Sequence, residues 1–415
     1  MMNKKALMGN VIVGQSGGPT AVINSSLAGV FTKAKELGLG TVYGMRHGIQ
    51  GFLDGRYIDL DPIFSDPINI ELLKRTPSSY LRSCRYKLPA VEKGNEIYEK
   101  LFRRLKSLNI KYFFYIGGND SMDTISKMTD YAHLIGSDIR FVGIPKTIDN
   151  DLAITDHTPG FGSAAKYVAV TTKEVIQDAG VYDMKMITVI EIMGRNAGWL
   201  TGAAALVNGP DCDGVDLLYL PELPFDTAQC LKDVKALLKK KDSIIIAVSE
   251  GVIEKEGMNL LEESSDSVRV DAFGHKSLSG MGRCIADYLG KEIGCKTRYV
   301  EYSSIQRSAS HITSKTDINE ALQCGRDAVK VAYNGGSGKM ITLKRVSNDP
   351  YACITEDHDV HEIANLEKKV PRAWINKKGN FVTDEFLDYV RPLISGEYLP
   401  VFRKGIPVHI LMPKE

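Results

Sequence analysis

The chain has 415 residues, 43% of them hydrophobic, which is enough for two or three domains with substantial cores and too apolar for intrinsic disorder. Its 52 Lys and Arg against 51 Asp and Glu leave a net charge of +1, which excludes a global field that would collect nucleic acid or an anionic membrane. The seven cysteines form no CxxC pair and are odd in number, so neither a disulfide framework nor a zinc site is indicated and a reducing compartment fits best.

In chain order, Ala6 to Gly14 is too short and glycine-broken for a signal peptide, and no apolar run reaches membrane-spanning length, so a cytoplasmic protein is expected. Asn10 to Gly14 predicts a strand and Ala21 to Leu37 a helix. Between them lies Gly14-Gln15-Ser16-Gly17-Gly18-Pro19-Thr20, whose free backbone N–H groups suit phosphate oxygens, although a bare turn explains the same residues. Basic residues follow at Arg82 and Arg85. Ile97, Leu101, Leu105 and Leu108 recur at helical spacing before a strand from Lys111 to Ile116.

That strand runs into Gly117-Gly118-Asn119-Asp120 and a helix from Ser121 to Ile135. Here a ligand role competes with simple helix capping by Asp120 or Ser121. A strand from Arg140 to Ile144 then leads into Pro145-Lys146-Thr147-Ile148-Asp149-Asn150-Asp151 and a helix from Gly162 to Ala179. In an extended segment Asp149 and Asp151 point the same way with Cα atoms about 6 to 7 Å apart. One carboxylate could then accept a hydroxyl proton while the other anchors a metal-bound phosphate. An Asp-Asn-Asp turn is the plain alternative.

The alternation resumes with a strand from Lys185 to Ile192, Met193-Gly194-Arg195, and a helix from Gly198 to Asn208. A strand from Ser243 to Val248 ends near Glu250, a helix runs from His275 to Ile293, and a strand from Arg298 to Tyr302 precedes Arg307. Strands followed by helices are the pattern of parallel sheets, and ligands bind where such strands end. The expected fold is therefore α/β, with two similar lobes of mainly parallel sheet flanked by helices. Past Gly335 come short strands, a charged stretch and a helix from Thr383 to Ile394, read as a peripheral C-terminal extension. The expected division is residues 1–160 with about 308–340, then 161–307, then 341–415.

Taken together, Ser16-Gly17-Gly18-Pro19-Thr20, Gly117 to Asp120, Pro145 to Asp151, Met193-Gly194-Arg195 and Ile305-Gln306-Arg307 resemble the phosphofructokinase family in order and spacing, over about residues 9–340. The resemblance implies that residues 1–160 form the donor lobe and 161–307 the sugar-phosphate lobe. It makes Asp149 the base for the 1-hydroxyl of fructose 6-phosphate, with Lys146 and Arg195 in catalysis. It implies Asp151, with Asn119 and Asp120, at a magnesium ion. Gly17, Gly18, Arg85, Gly118, Asp120 and Thr147 would surround the donor. Thr147, Asp149, Met193, Gly194, Arg195 and Glu250 would hold the sugar, with Arg298 and Arg307 on its 6-phosphate. Some of these arginines come from a neighbouring subunit in the family, which implies a homodimer or homotetramer with shared sites.

Members that use ATP typically carry glycines where this chain has Asp120 and Lys146, and members that use pyrophosphate resemble this chain at both. A carboxylate beside the α-phosphate of ATP opposes it by about 4 kcal/mol at about 4 Å and an effective dielectric near 20. Pyrophosphate lacks that phosphate, and Lys146 would stabilise charge on the departing one. A diphosphate–fructose 6-phosphate 1-phosphotransferase of glycolysis or gluconeogenesis is therefore expected. The alternatives are an ATP-dependent enzyme and a non-catalytic regulatory subunit that binds sugar phosphate. Asn119 departs from the family's usual aspartate, Ser304 stands where many members carry a histidine, and Met186 stands where many bacterial ATP-using members have a phosphate-binding arginine, with Lys185 adjacent.

Overall fold

A computed structural model describes residues 7–91, 95–255, 280–364 and 366–414. The strands in chain order are β1 (Asn10–Gln15), β2 (Val42–Met45), β3 (Tyr57–Asp59), β4 (Ile110–Gly117), β5 (Arg140–Pro145), β6 (Met186–Ile192), β7 (Leu217–Tyr219), β8 (Ser243–Ser249), β9 (Lys296–Glu301), β10 (Lys339–Asn348) and β11 (Tyr351–Asp359). One sheet has the order β11-β10-β5-β4-β1-β2-β3 and a second the order β7-β8-β6-β9, while Phe402–Arg403 and Ile406–Pro407 pair antiparallel in a small separate hairpin. Pairing is parallel throughout the second sheet and across the middle of the first, with antiparallel partners only at its two edges, β2 with β3 and β10 with β11. Every residue of β5 and β6 is buried, as continuous apolar runs covered by helices on both faces require.

Register positions the site. Gln15 of β1 pairs with Ile116 of β4, and Gly117 of β4 with Pro145 of β5, so three loops leave one edge of the first sheet together. In the second sheet Ile192 pairs with Ser249, which brings Met193 and Glu250 out side by side. Both sheets thus present the carboxyl ends of parallel strands, where open α/β sheets bind ligands.

Most expected elements lie within a residue or two of their places, and the differences have local causes. The helix expected from Ser121 starts at Asn119. Gly118 is its N-cap, and the Gly118 carbonyl accepts from the amides of Ser121 at 3.0 Å and Met122 at 3.1 Å. Asp120 and Ser121 therefore sit in the first turn rather than capping it. The helix expected from Gly198 to Asn208 is α-helical only over Trp199–Ala203 and tightens to a 3-10 turn over Ala204–Val207. Of the helix expected from His275, the part from Met281 to Ile293 is present, and His275 lies outside the described residues.

The C-terminal segment reaches further inward than its charged sequence suggests. β10 runs parallel to β5 and extends the first sheet, while Asp384–Val390 packs Phe386 on Trp199 with ring centroids 5.9 Å apart. The helix Lys315–Tyr333 crosses Ile23–Glu36 at close range: a Cβ on Gly29 would lie 2.1 Å from the Leu322 carbonyl oxygen, and one on Gly325 would lie 2.1 Å from that of Ser26. Among the described residues no helix is long and apolar enough to cross a membrane.

Candidate active site

A cleft of about 680 Å³ opens where these strand ends converge. From the first sheet it is lined by Gly17, Gly18, Arg85, Gly118, Asn119, Asp120, Lys146, Thr147, Asp149 and Asp151, and from the second by Met193, Arg195 and Glu250. Arg307, from a 3-10 turn at Ser303–Arg307, completes it. Residues far apart in the chain but singled out by sequence therefore share one cavity. Gly194 stands beside it, its amide donating to the Glu250 carboxylate at 3.3 Å.

Each wall has a physical logic. Gly17 has φ +76, which allows its amide to reach the Cys84 carbonyl and fixes the turn after β1. At Gly18 a Cβ would come within 3.0 Å of Nη1 of Arg307, so the bare backbone is what admits that guanidinium. The Lys146 side chain is not in solvent. It is 3% exposed, and its Nζ donates to the Gly18 carbonyl at 2.6 Å, so an ammonium is built into the floor between the first loop and the third. Burial pulls Lys146 down to about 8, while Asp149 and Asp151 pull the other way.

The carboxylates are held under strain of charge. Burial raises Asp149, against the opposing pull of Lys146, Thr147, Arg307 and Arg195. Burial and then the charge of Asp149 lift Asp151 to about 7, and burial lifts Glu250 to about 7. Thr147 orients the first of these: its Oγ1 accepts from the Asp149 amide at 3.1 Å and faces the Asp149 carboxylate at 3.4 Å. Raised carboxyl groups gathered beside cations in one cleft are the kind of arrangement found where a charged ligand binds and a proton moves.

Asn119 has a buried Oδ1 with no hydrogen-bond partner, a polar acceptor awaiting a donor or a cation. With the carboxylates of Asp120 and Asp151 lining the same cleft, the set is made only of oxygens and suits a hard divalent ion. Asp120 is exposed at the cleft, free of the capping role that sequence left open.

Arg298 lies outside this cleft. It stands on β9, an edge strand, where its guanidinium pairs with Asp178. Leu366, Glu367 and Asn196 also line the cavity, and sequence reasoning passed over them. Asn196 donates to Glu367 at 2.7 Å, so the rim next to Arg195 is closed by the C-terminal segment. Only Asn196 had a signal, its place directly after Met193-Gly194-Arg195.

Comparison with known proteins gives the chain's relatives. A sequence model described as phosphofructokinase matches residues 10–332. A protein of Halomonas elongata named pyrophosphate–fructose 6-phosphate 1-phosphotransferase is 38% identical over 402 residues, 96% of this chain and 94% of that one. Its namesake in Xanthomonas campestris is 38% identical over 97% of this chain and 96% of its own. The crystal structure of a pyrophosphate-dependent phosphofructokinase from Nitrosospira multiformis superposes with a TM-score of 0.87 at 35% identity, covering 99% of both chains.

Proposed function

The chain belongs to the phosphofructokinase family, and on that premise we propose that it transfers a phosphoryl group reversibly from pyrophosphate to the 1-hydroxyl of fructose 6-phosphate, giving fructose 1,6-bisphosphate and phosphate. The observation that carries the choice of donor is the buried Lys146 ammonium with Asp120 in the same cleft. A charge fixed under the donor loop serves a short anionic donor, while the Asp120 carboxylate opposes any phosphate placed further along, as a nucleotide would require.

In this reading Asp149 accepts the proton of the 1-hydroxyl as its oxygen bonds to phosphorus and the bridging P–O bond of pyrophosphate breaks, releasing phosphate. Lys146 and Arg195 stabilise the charge that spreads over the transferred group and the leaving phosphate. Thr147 holds Asp149 in place and borders both ligands. Gly17, Gly18, Arg85 and Gly118 surround the donor, while Met193, Gly194, Glu250 and Arg307 hold the sugar phosphate. Asn119, Asp120 and Asp151 would hold Mg²⁺, which when bound neutralises charge on the phosphate oxygens. Arg298, turned away from its own cleft, serves the sugar phosphate of a neighbouring subunit in a homodimer or homotetramer. The reaction proposed here would place the protein in the cytoplasm, in glycolysis or gluconeogenesis.

The test compares initial rates with pyrophosphate and with ATP at equal magnesium. Turnover confined to pyrophosphate supports the proposal, and ATP turnover of equal size overturns the donor assignment. A D120G, K146G double variant is expected to lose pyrophosphate use and gain use of ATP. No turnover of either donor would favour a sugar-phosphate-binding regulatory subunit.

A further inference from the structure

The family match ends at residue 332, yet the turn between Asp149 and Asp151 is held from beyond that point. Asn150, wholly buried between the two carboxylates, has φ +55, a left-handed conformation that a side-chain-bearing residue adopts at a cost. Its Nδ2 donates to the Tyr389 hydroxyl at 2.9 Å, and that hydroxyl donates to the Asp156 carbonyl at 2.7 Å. Lys368 grips the same turn from the other side. Its amide donates to the Asp151 carbonyl at 2.7 Å, and its Nζ donates to the carbonyls of Asp156 at 2.5 Å and Thr155 at 3.1 Å. The Lys368 carbonyl in turn accepts from the Trp199 indole at 3.1 Å, which ties the turn to the helix that begins the second lobe's cover.

We propose that Lys368 and Tyr389 are positioning residues for phosphoryl transfer: they hold Asn150 left-handed so that Asp149 and Asp151 face the cleft together. Neither touches the reacting groups, and both act through the turn. The inference rests on the roles given above to Asp149 and Asp151. It places part of the catalytic apparatus in a segment that the family match does not include.

The test measures kcat, KM for fructose 6-phosphate, the magnesium concentration for half-maximal rate and the thermal midpoint for Y389F, K368M and the double variant, with whichever donor the unaltered enzyme turns over. Y389F removes one oxygen, and K368M removes the ammonium's bonds to the Asp156 and Thr155 carbonyls and to Asn150 Oδ1 at 3.5 Å while keeping the backbone amide on Asp151, so each is expected to lower kcat by at least about 10-fold. KM for the sugar should stay near its original value, because Met193, Arg195 and Arg307 are untouched, while the magnesium requirement rises. The double variant should fall no further than K368M alone, as groups serving one turn do. Unchanged kcat in Y389F together with a K368M loss that follows its thermal midpoint would overturn the proposal, and if K368M does not fold, Y389F decides alone. D149N separates the two levels. Full activity in D149N sinks the underlying reading, whereas an inactive D149N beside a fully active Y389F and K368M sinks only this inference.

Discussion

At the scale of single residues, the cleft is governed by what burial does to charge. Lys146 is charged below about 8 and loses its proton above it, because desolvation penalises the ammonium. The expected consequence is an alkaline fall in kcat/KM with pyrophosphate, centred near that value in the free enzyme, and its disappearance in a K146M variant that is also slower by at least about 100-fold. A pH–rate series on both proteins checks this. Burial alone would lower His157, but Glu320 and Asp156, each 2.7 Å from a ring nitrogen, outweigh it and raise the imidazolium to about 9 from 6.5. The sign follows from linkage. The stabilisation is complete below the unfolded value and is lost as pH rises through the folded one, so the thermal midpoint should decline between about pH 7 and about pH 10. H157Q should start lower and decline less over that range, and a parallel decline would mean that other groups carry it.

At the scale of elements, helix Lys315–Tyr333 and helix Ile23–Glu36 meet through Gly29 and Gly325, with Arg326 closing on Glu36 at 2.7 Å. That crossing holds a C-terminal helix against the sheet that carries the first two loops of the cleft. A methyl group added at either glycine must push a backbone carbonyl, so G325A is expected to destabilise by about 1 to 3 kcal/mol, read as a lower midpoint in denaturant. R326A exposes only a surface ion pair at its outer end and should change stability by less than about 1 kcal/mol. An effect of G325A as small as that of R326A would show that the helices can separate at little cost.

At the scale of the whole molecule, the two sheets contribute different halves of one cavity, and Arg298 contributes to neither in its own chain. If neighbouring subunits share sites, D149N and R298A proteins should each be nearly inactive, and a refolded mixture should regain activity, because one hybrid site then has an intact Asp149 and an intact Arg298. No recovery on mixing, with hybrids demonstrated by size or mass, would confine the site to one chain.

Strand and helix positions, the motif loops and the family itself were legible in the sequence because each depends on local periodicity or on residue types at fixed spacing. The alternation over Asn10 to Leu37 and over Ile97 to Ala179 needed no tertiary information, whereas the strands Val42–Met45 and Tyr57–Asp59 and the helices Gly48–Leu53 and Pro67–Arg75 between them were not expected, because such short elements carry too little periodicity to be read. Three matters were decided only in the folded chain. Whether Lys146 met solvent or the Gly18 carbonyl depended on the distance between two loops more than a hundred residues apart. Whether Asp120 capped its helix depended on the backbone at Gly118. The hold of Lys368 and Tyr389 on Asn150 depended on a C-terminal segment folding back across both lobes. Periodicity reports which face of an element is apolar, but not which distant residue will meet it, because contacts between remote segments are set by the packing of the whole chain.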